Sequence, residues 1–173
     1  MVKSGTARSA DTLSVNANVR IQVWDVSTPE LETLAREGRG KLLSEQEGHN
    51  LVVLAGRNLV RDLLAKSFLA DATVGLTHFA FGSGSTAIND SQTALVTETL
   101  RQAILDLVKG SSNITAKFFL ASTQLNSTTI REAGLFNAGA AGTMFARYLL
   151  APSIVKDNTV AVTFTWVITM SAT

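Results

Sequence analysis

Gly82-Ser-Gly-Ser-Thr86 is the stretch that comes nearest to a phosphate cradle. A P-loop needs Gly-Lys-Ser/Thr opening a helix, and a dinucleotide fingerprint needs a third glycine and a downstream acid on a βαβ unit. Neither accompanies it, so the segment reads as a tight surface turn. His49 and His78 stand alone, without the His-x-x-x-His or Glu-x-x-His spacing that puts two ligands on one helix face. Each reads as a structural hydrogen-bonder, and His49-Asn50 as a helix cap. No serine sits in a Gly-x-Ser-x-Gly elbow. The chain has no cysteine, which removes thiolate zinc sites, cysteine nucleophiles and disulfides together. No metal and no cofactor are expected.

The carboxylates give little more. Asp90 has only Asn89 beside it, and Glu30 and Glu32 fall in a segment read as exposed. Arg131 and Glu132 are adjacent on an expected strand, so their side chains point to opposite faces. One of them then faces inward or into an interface, where an unpaired charge is costly. Arg147 is the partner expected for Glu132, and Glu98 for Arg131. Asn113-Ile-Thr115 and Asn126-Ser-Thr128 match the glycosylation pattern and carry no weight without a secretory signal.

The elements that must position these residues follow from pattern. At 173 residues the chain can bury a sizeable core. Hydrophobic residues make up 46% and charged ones 17%, so either other subunits cover apolar surface or an Ala- and Val-rich β core absorbs it. The formal net charge of +1 carries no basic stripe, and nucleic acid is not an expected partner. No apolar run approaches membrane-helix length, so no membrane insertion is expected. The absence of cysteine fits synthesis in a reducing cytoplasm, and the first residues, without an apolar core, do not read as a secretory signal.

Residues 1–15 read as an extended arm and 16–173 as one β-rich domain. Val19, Ile21 and Val23 alternate with Arg20, Gln22 and Trp24 in a first strand. Thr28 as cap, Pro29 at the first position and Gly38 as stop predict a helix from Pro29 to about Glu37. Gly40–Gly48 reads as a polar return with a strand near 41–44. Asn50 reads as the cap of a helix over Leu51–Phe68, with Val52, Leu59, Val60, Leu63, Leu64 and Phe68 on its apolar side. A short strand follows at Thr77–Phe81, then a helical turn at Ala94–Arg101, then strands with a hairpin at Gly110–Asn113. Three long alternating segments close the chain: Thr129–Asn137, Gly142–Leu150 and Asn158–Ser171. In the last, Val160, Val162, Phe164, Trp166, Ile168 and Met170 share one side. The expected fold is α+β, mainly β: an antiparallel sandwich-like arrangement with one or two packed helices.

Several of these stretches resemble a family of bacteriophage virion proteins of the tail-fibre-like or baseplate-associated type. They are His49-Asn-Leu-Val52 with Gly56, and Phe81-Gly-Ser-Gly-Ser-Thr86 with Thr93-Ala-Leu95, Glu98 and Arg101. Further on come Ile130-Arg-Glu-Ala-Gly-Leu-Phe-Asn137 and Met144-Phe-Ala-Arg147. The resemblance covers about two-thirds of the chain, from His49 onward, and is weakest before Gly48. It implies a non-enzymatic virion component, made in a bacterial cytoplasm, with other virion proteins as partners and a homo-oligomeric state, trimer favoured. The expected interface or structural residues are Val19, Ile21, Val23, Trp24, Arg131, Glu132 and Arg147. Capsid decoration is an alternative station. So is a receptor- or carbohydrate-binding module, for which Trp24 and Tyr148 would be the exposed aromatics.

Overall fold

Ala17, Val19, Ile21 and Val23 are buried while Asn16, Asn18 and Arg20 are exposed, and this alternation builds the first strand, β1 (Leu13–Asp25). A computed structural model describes residues 13–69 and 75–172 of the chain. Numbered along the chain, β1 pairs antiparallel with the last strand, β10 (Val160–Ala172), from Leu13 opposite Ala172 to Asp25 opposite Val160. β2 (Lys41–His49) flanks β1 on its other side. Beyond β10 lie β7 (Asn113–Leu120) and β6 (Asp106–Lys109), which completes a sheet of order β2-β1-β10-β7-β6. The second sheet has the order β3-β9-β8-β4-β5. Its strands are β3 (Leu51–Val52), β9 (Met144–Lys156), β8 (Thr128–Phe136), β4 (His78–Gly82) and β5 (Glu98–Ala103).

The two sheets pack face to face, and aromatic rings fill the space between them. Phe79 and Phe81 come from β4, Phe118 from β7, and Phe164 and Trp166 from β10. Phe81 and Phe164 lie 4.7 Å apart between centroids, and Phe79 and Trp166 lie 6.2 Å apart, both tilted. Tilted pairs of this kind contribute about 0.5–1.5 kcal/mol each beyond the area they bury. The fold is thus mainly β, two antiparallel sheets packed together with two helices, as the alternation led one to expect.

Helix α1 (Pro29–Arg36) starts where Thr28 Oγ1 accepts from Leu31 N–H and ends at Glu37, followed by Gly38 at φ +71°. It covers one end of the first sheet's outer face, where Trp24, Val26, Ala35 and Ala161 form a small core. Helix α2 (Leu54–Leu69) lies against β9. A Cβ at Gly56 would collide with the Phe145 carbonyl, so glycine is what lets the helix approach that strand.

Several expectations need correction. Strand β1 already includes residues 13–15, while the remainder of the expected arm, residues 1–12, lies outside the described residues. The second helix starts at Leu54 rather than Leu51, because Leu51 and Val52 pair with Arg147 and Ala146. Asn50 therefore does not cap it; its backbone N–H donates to Ala17 O. Of the expected apolar side, Leu59 is buried, but Leu63 and Leu64 are 36% and 75% exposed, and the Phe68 side chain lies outside the described set. The helical turn at Ala94–Arg101 is absent: Glu98–Ala103 is strand β5, paired with β4.

Candidate functional site

Glu132 of β8 and Arg147 of β9 meet on the outward face of the second sheet, and both are fully buried. Glu132 stands opposite Leu149 and Arg147 opposite Gly134, so the two charged side chains approach on a diagonal. What buries them is the long connection between β4 and β5, residues 83–97. Its backbone closes on the carboxylate. Glu132 Oε1 accepts from Gly84 N–H at 3.1 Å and Thr97 N–H at 2.7 Å. Oε2 accepts from Val96 N–H at 3.1 Å and Arg147 Nε at 2.9 Å. Arg147 Nη2 lies 2.8 Å from that same oxygen, an ion-pair contact rather than an aligned hydrogen bond. Its Nη1 donates to Thr86 O and Gln92 Oε1, both at 3.0 Å.

The glycines explain why the chain can do this. A Cβ on Gly84 would collide with Glu132 Oε1 and sit 2.7 Å from Val96 Cβ; one on Gly82 would sit 2.7 Å from Glu132 Oε1. The Gly-Ser-Gly segment therefore gives one amide, Gly84 N–H, to the protein's own carboxylate, and its glycines leave room for that carboxylate. Around it the same face is sealed by apolar and planar contacts. Leu95 packs with Val53, Ala80, Phe136 and Met144. The Arg101 guanidinium lies 3.6 Å from the Phe136 ring centroid, is held by Glu98, and donates to Ala138 O and Ala141 O. Arg57 and Asp90 form a two-pronged pair at 2.8 Å on each prong, tying the connection to the start of α2.

Chemically, this centre is closed. Both Glu132 oxygens accept from donors, and Arg147 commits Nε to the carboxylate and Nη1 to Thr86 O and Gln92 Oε1. Both groups are fully buried, and of their polar atoms Arg147 Nη2 alone is left without an aligned hydrogen bond. Among the described residues, no three His, Asp or Glu side chains come together in a way that could hold a metal ion. No helix among them is long and apolar enough to cross a membrane.

The structure brings Glu132 and Arg147 together, the partners expected from the cost of burying a lone charge, but Arg131 is not paired with Glu98. Arg131 is exposed, while Glu98 holds Arg101 through two hydrogen bonds. Val19, Ile21 and Val23, expected as interface or structural residues, point into the core at 1%, 0% and 8% exposure. Trp24 is buried under α1, with its indole N–H donating to Thr163 Oγ1 at 2.9 Å. The histidines make single side-chain contacts, His49 with Asn18 and His78 with Thr77.

Lys156 is the feature that pattern reading missed. Its side chain is fully buried, and Nζ donates to Asp157 O at 2.6 Å, Asn126 Oδ1 at 3.1 Å and Ser122 O at 3.3 Å. Burial pushes its pKa below the usual lysine range, partly offset by Asp157 and Glu32. Three acceptors satisfy the amine, which ties the β7–β8 connection to the end of β9. Its position at the end of an alternating strand gave the only signal, and that signal is weak.

No family model, curated protein or solved structure matches the chain.

Proposed function

We propose that this chain is a non-enzymatic bacteriophage virion component of the tail-fibre-like or baseplate-associated kind, acting by attachment to other virion proteins. One observation carries the reading. The stretches that resemble that family lie far apart in sequence, yet they pack around the Glu132–Arg147 pair as one unit. Gly82 and Gly84 admit the carboxylate, Leu95 fills the face beside it, Arg101 stacks on Phe136, and Gly56 seats α2 on β9. The residue types with most chemical potential are thus committed to architecture.

The attachment reading is also favoured over a carbohydrate module by the fate of the aromatics. Trp24 and Tyr148, the two rings a sugar platform would have used, are 4% and 8% exposed. The test is mass spectrometry and immunolabelling of density-purified particles from a phage that encodes this chain. Stable co-purification with label at the tail end is the expected result. Label spread over the shell would move the protein to capsid decoration. Absence from the particle would overturn the proposal.

A further inference from the structure

We infer that β6 is a self-pairing edge, through which two copies of this chain join antiparallel about a two-fold axis normal to the first sheet. This stands on strand geometry and does not depend on the virion reading. β6 ends its sheet, all four of its residues are exposed, and no described strand lies beyond it. Leu105, Leu107 and Val108 are 90%, 51% and 57% exposed there. A strand edge left unpaired among the described residues, with Leu107 and Val108 exposed at its middle, is a template for another strand.

The hydrogen-bond phase says which groups point out. Gly110 N–H donates to Asn113 O at 2.8 Å across the β6–β7 turn, and Met170 N–H donates to Ser112 O at 2.9 Å on the other side of β7. Residues of an antiparallel ladder alternate in the direction of their backbone groups. The odd-numbered residues of β7 therefore face β6, and on β6 it is Asp106 and Val108 that face back, opposite Lys117 and Thr115. Leu107 and Lys109 are left with N–H and C=O aimed away from the sheet.

Symmetry then limits the register. A two-fold axis normal to a sheet keeps each side chain on its own face, so opposed residues must differ by an even number of positions. Leu107 opposite Lys109 of the second copy satisfies this and uses both outward residues. Val108 then faces Val108 of the second copy as a close, non-hydrogen-bonded pair, and Asp106 falls opposite Gly110. No like charges meet. The other edge of this sheet behaves differently: Glu45 and Glu47 share one face of β2, so self-pairing centred on that strand sets acid against acid. On its inward side Leu107 lines an apolar groove with Leu63, Leu64 and Met170, which the second copy would abut. The contact is pairwise, where the sequence reading favoured three copies.

Light scattering or sedimentation across a concentration series tests this, with three variants. Leu107→Pro removes an N–H that faces away from the sheet and has no partner among the described residues, so a folded monomer is expected. Val108→Lys sets like charges face to face and should weaken dimerisation by at least about tenfold without unfolding the domain. Val108→Cys, in a chain with no other cysteine, should give an oxidised covalent dimer, because non-hydrogen-bonded pairs bring side chains within disulfide reach. The inference is overturned if the native chain stays monomeric up to about millimolar concentration, a range of weak association. It is equally overturned if folded Val108→Lys dimerises as well as the native chain, or if Val108→Cys fails to cross-link. A monomer that still enters particles would sink the pairing and leave the virion reading intact.

Discussion

Glu132→Ala removes one carboxylate and with it the partner of four donors. Arg147 is left as a cation at 0% exposure, and the N–H groups of Gly84, Val96 and Thr97 lose their acceptor. Breaking a buried ion pair from one side costs about 3–5 kcal/mol. Each orphaned buried donor adds about 1–3 kcal/mol in isolation, but one carboxylate serves them all, so the terms are not additive. The expected loss is about 4 kcal/mol, set by the ion-pair figure. That is a large share of the roughly 5–15 kcal/mol that holds a domain together, and corresponds to a melting point lower by about 8–16 °C at this chain length. Urea unfolding followed by tryptophan fluorescence suits the measurement, because Trp24 and Trp166 are both buried in the first sheet. Joint replacement, Glu132→Leu with Arg147→Met, removes the buried charge and leaves the three amides unsatisfied, so it should recover only part of the loss. Arg20→Ala breaks a pair whose side chains are 52% and 58% exposed and should cost under about 1 kcal/mol. A loss below about 1 kcal/mol for Glu132→Ala, or a double variant as stable as the native chain, would refute the claim that this carboxylate closes the β4–β5 connection.

Gly84→Ala should cost about 1–3 kcal/mol through collision with Glu132, while Gly75→Ala, with nothing within 4 Å of the new Cβ, should be silent in the same unfolding assay. Asp25 is held at a pKa of about 2 by the Ser27 backbone N–H first and the Lys41 ammonium second. A depressed carboxyl contributes stability above its unfolded pKa of about 3.9 that is lost as pH falls toward its folded value. Asp25→Asn should therefore flatten the fall of melting temperature between those two pH values; an unchanged slope would contradict the assignment. Thr28→Ala should lower stability by about 1 kcal/mol and Thr28→Ser should restore it, as read by thermal melts.

The long strands were legible because each has one dry face. Val162, Phe164, Trp166 and Ile168 repeat every second residue, and all four are buried. Helix α1 was legible from its cap, its proline and its glycine stop, which are local signals. Strand β5 was misread as helical because Val96, Leu100, Ile104 and Leu107 fall at three- and four-residue spacing by accident. In the structure the chain there leaves one sheet for the edge of the other; β6 is exposed throughout and β5 is half-buried at three successive residues, so neither shows alternation. The start of α2 was misplaced because Leu51 and Val52 continue the helical period while answering to β9 across the sheet. At the centre, the Glu132–Arg147 pair could be anticipated from the cost of burying a lone charge. The three amides could not, since backbone donors leave no mark on residue type. The expected Arg131–Glu98 pair failed because Glu98 had a nearer claimant, Arg101, three residues along.

Strand β1 is zipped along its full length to β10, and the side chains of Trp24 and Thr163 join across that seam although 139 residues separate them in sequence. A ribosome working at about 5–20 residues per second takes on the order of ten seconds to bridge that interval. During it, β1 lacks the strand that flanks it on one side. Final closure must therefore wait for translation to deliver the last ribbon. A premature stop anywhere before it would leave a sticky half-sheet rather than a shortened version of the molecule.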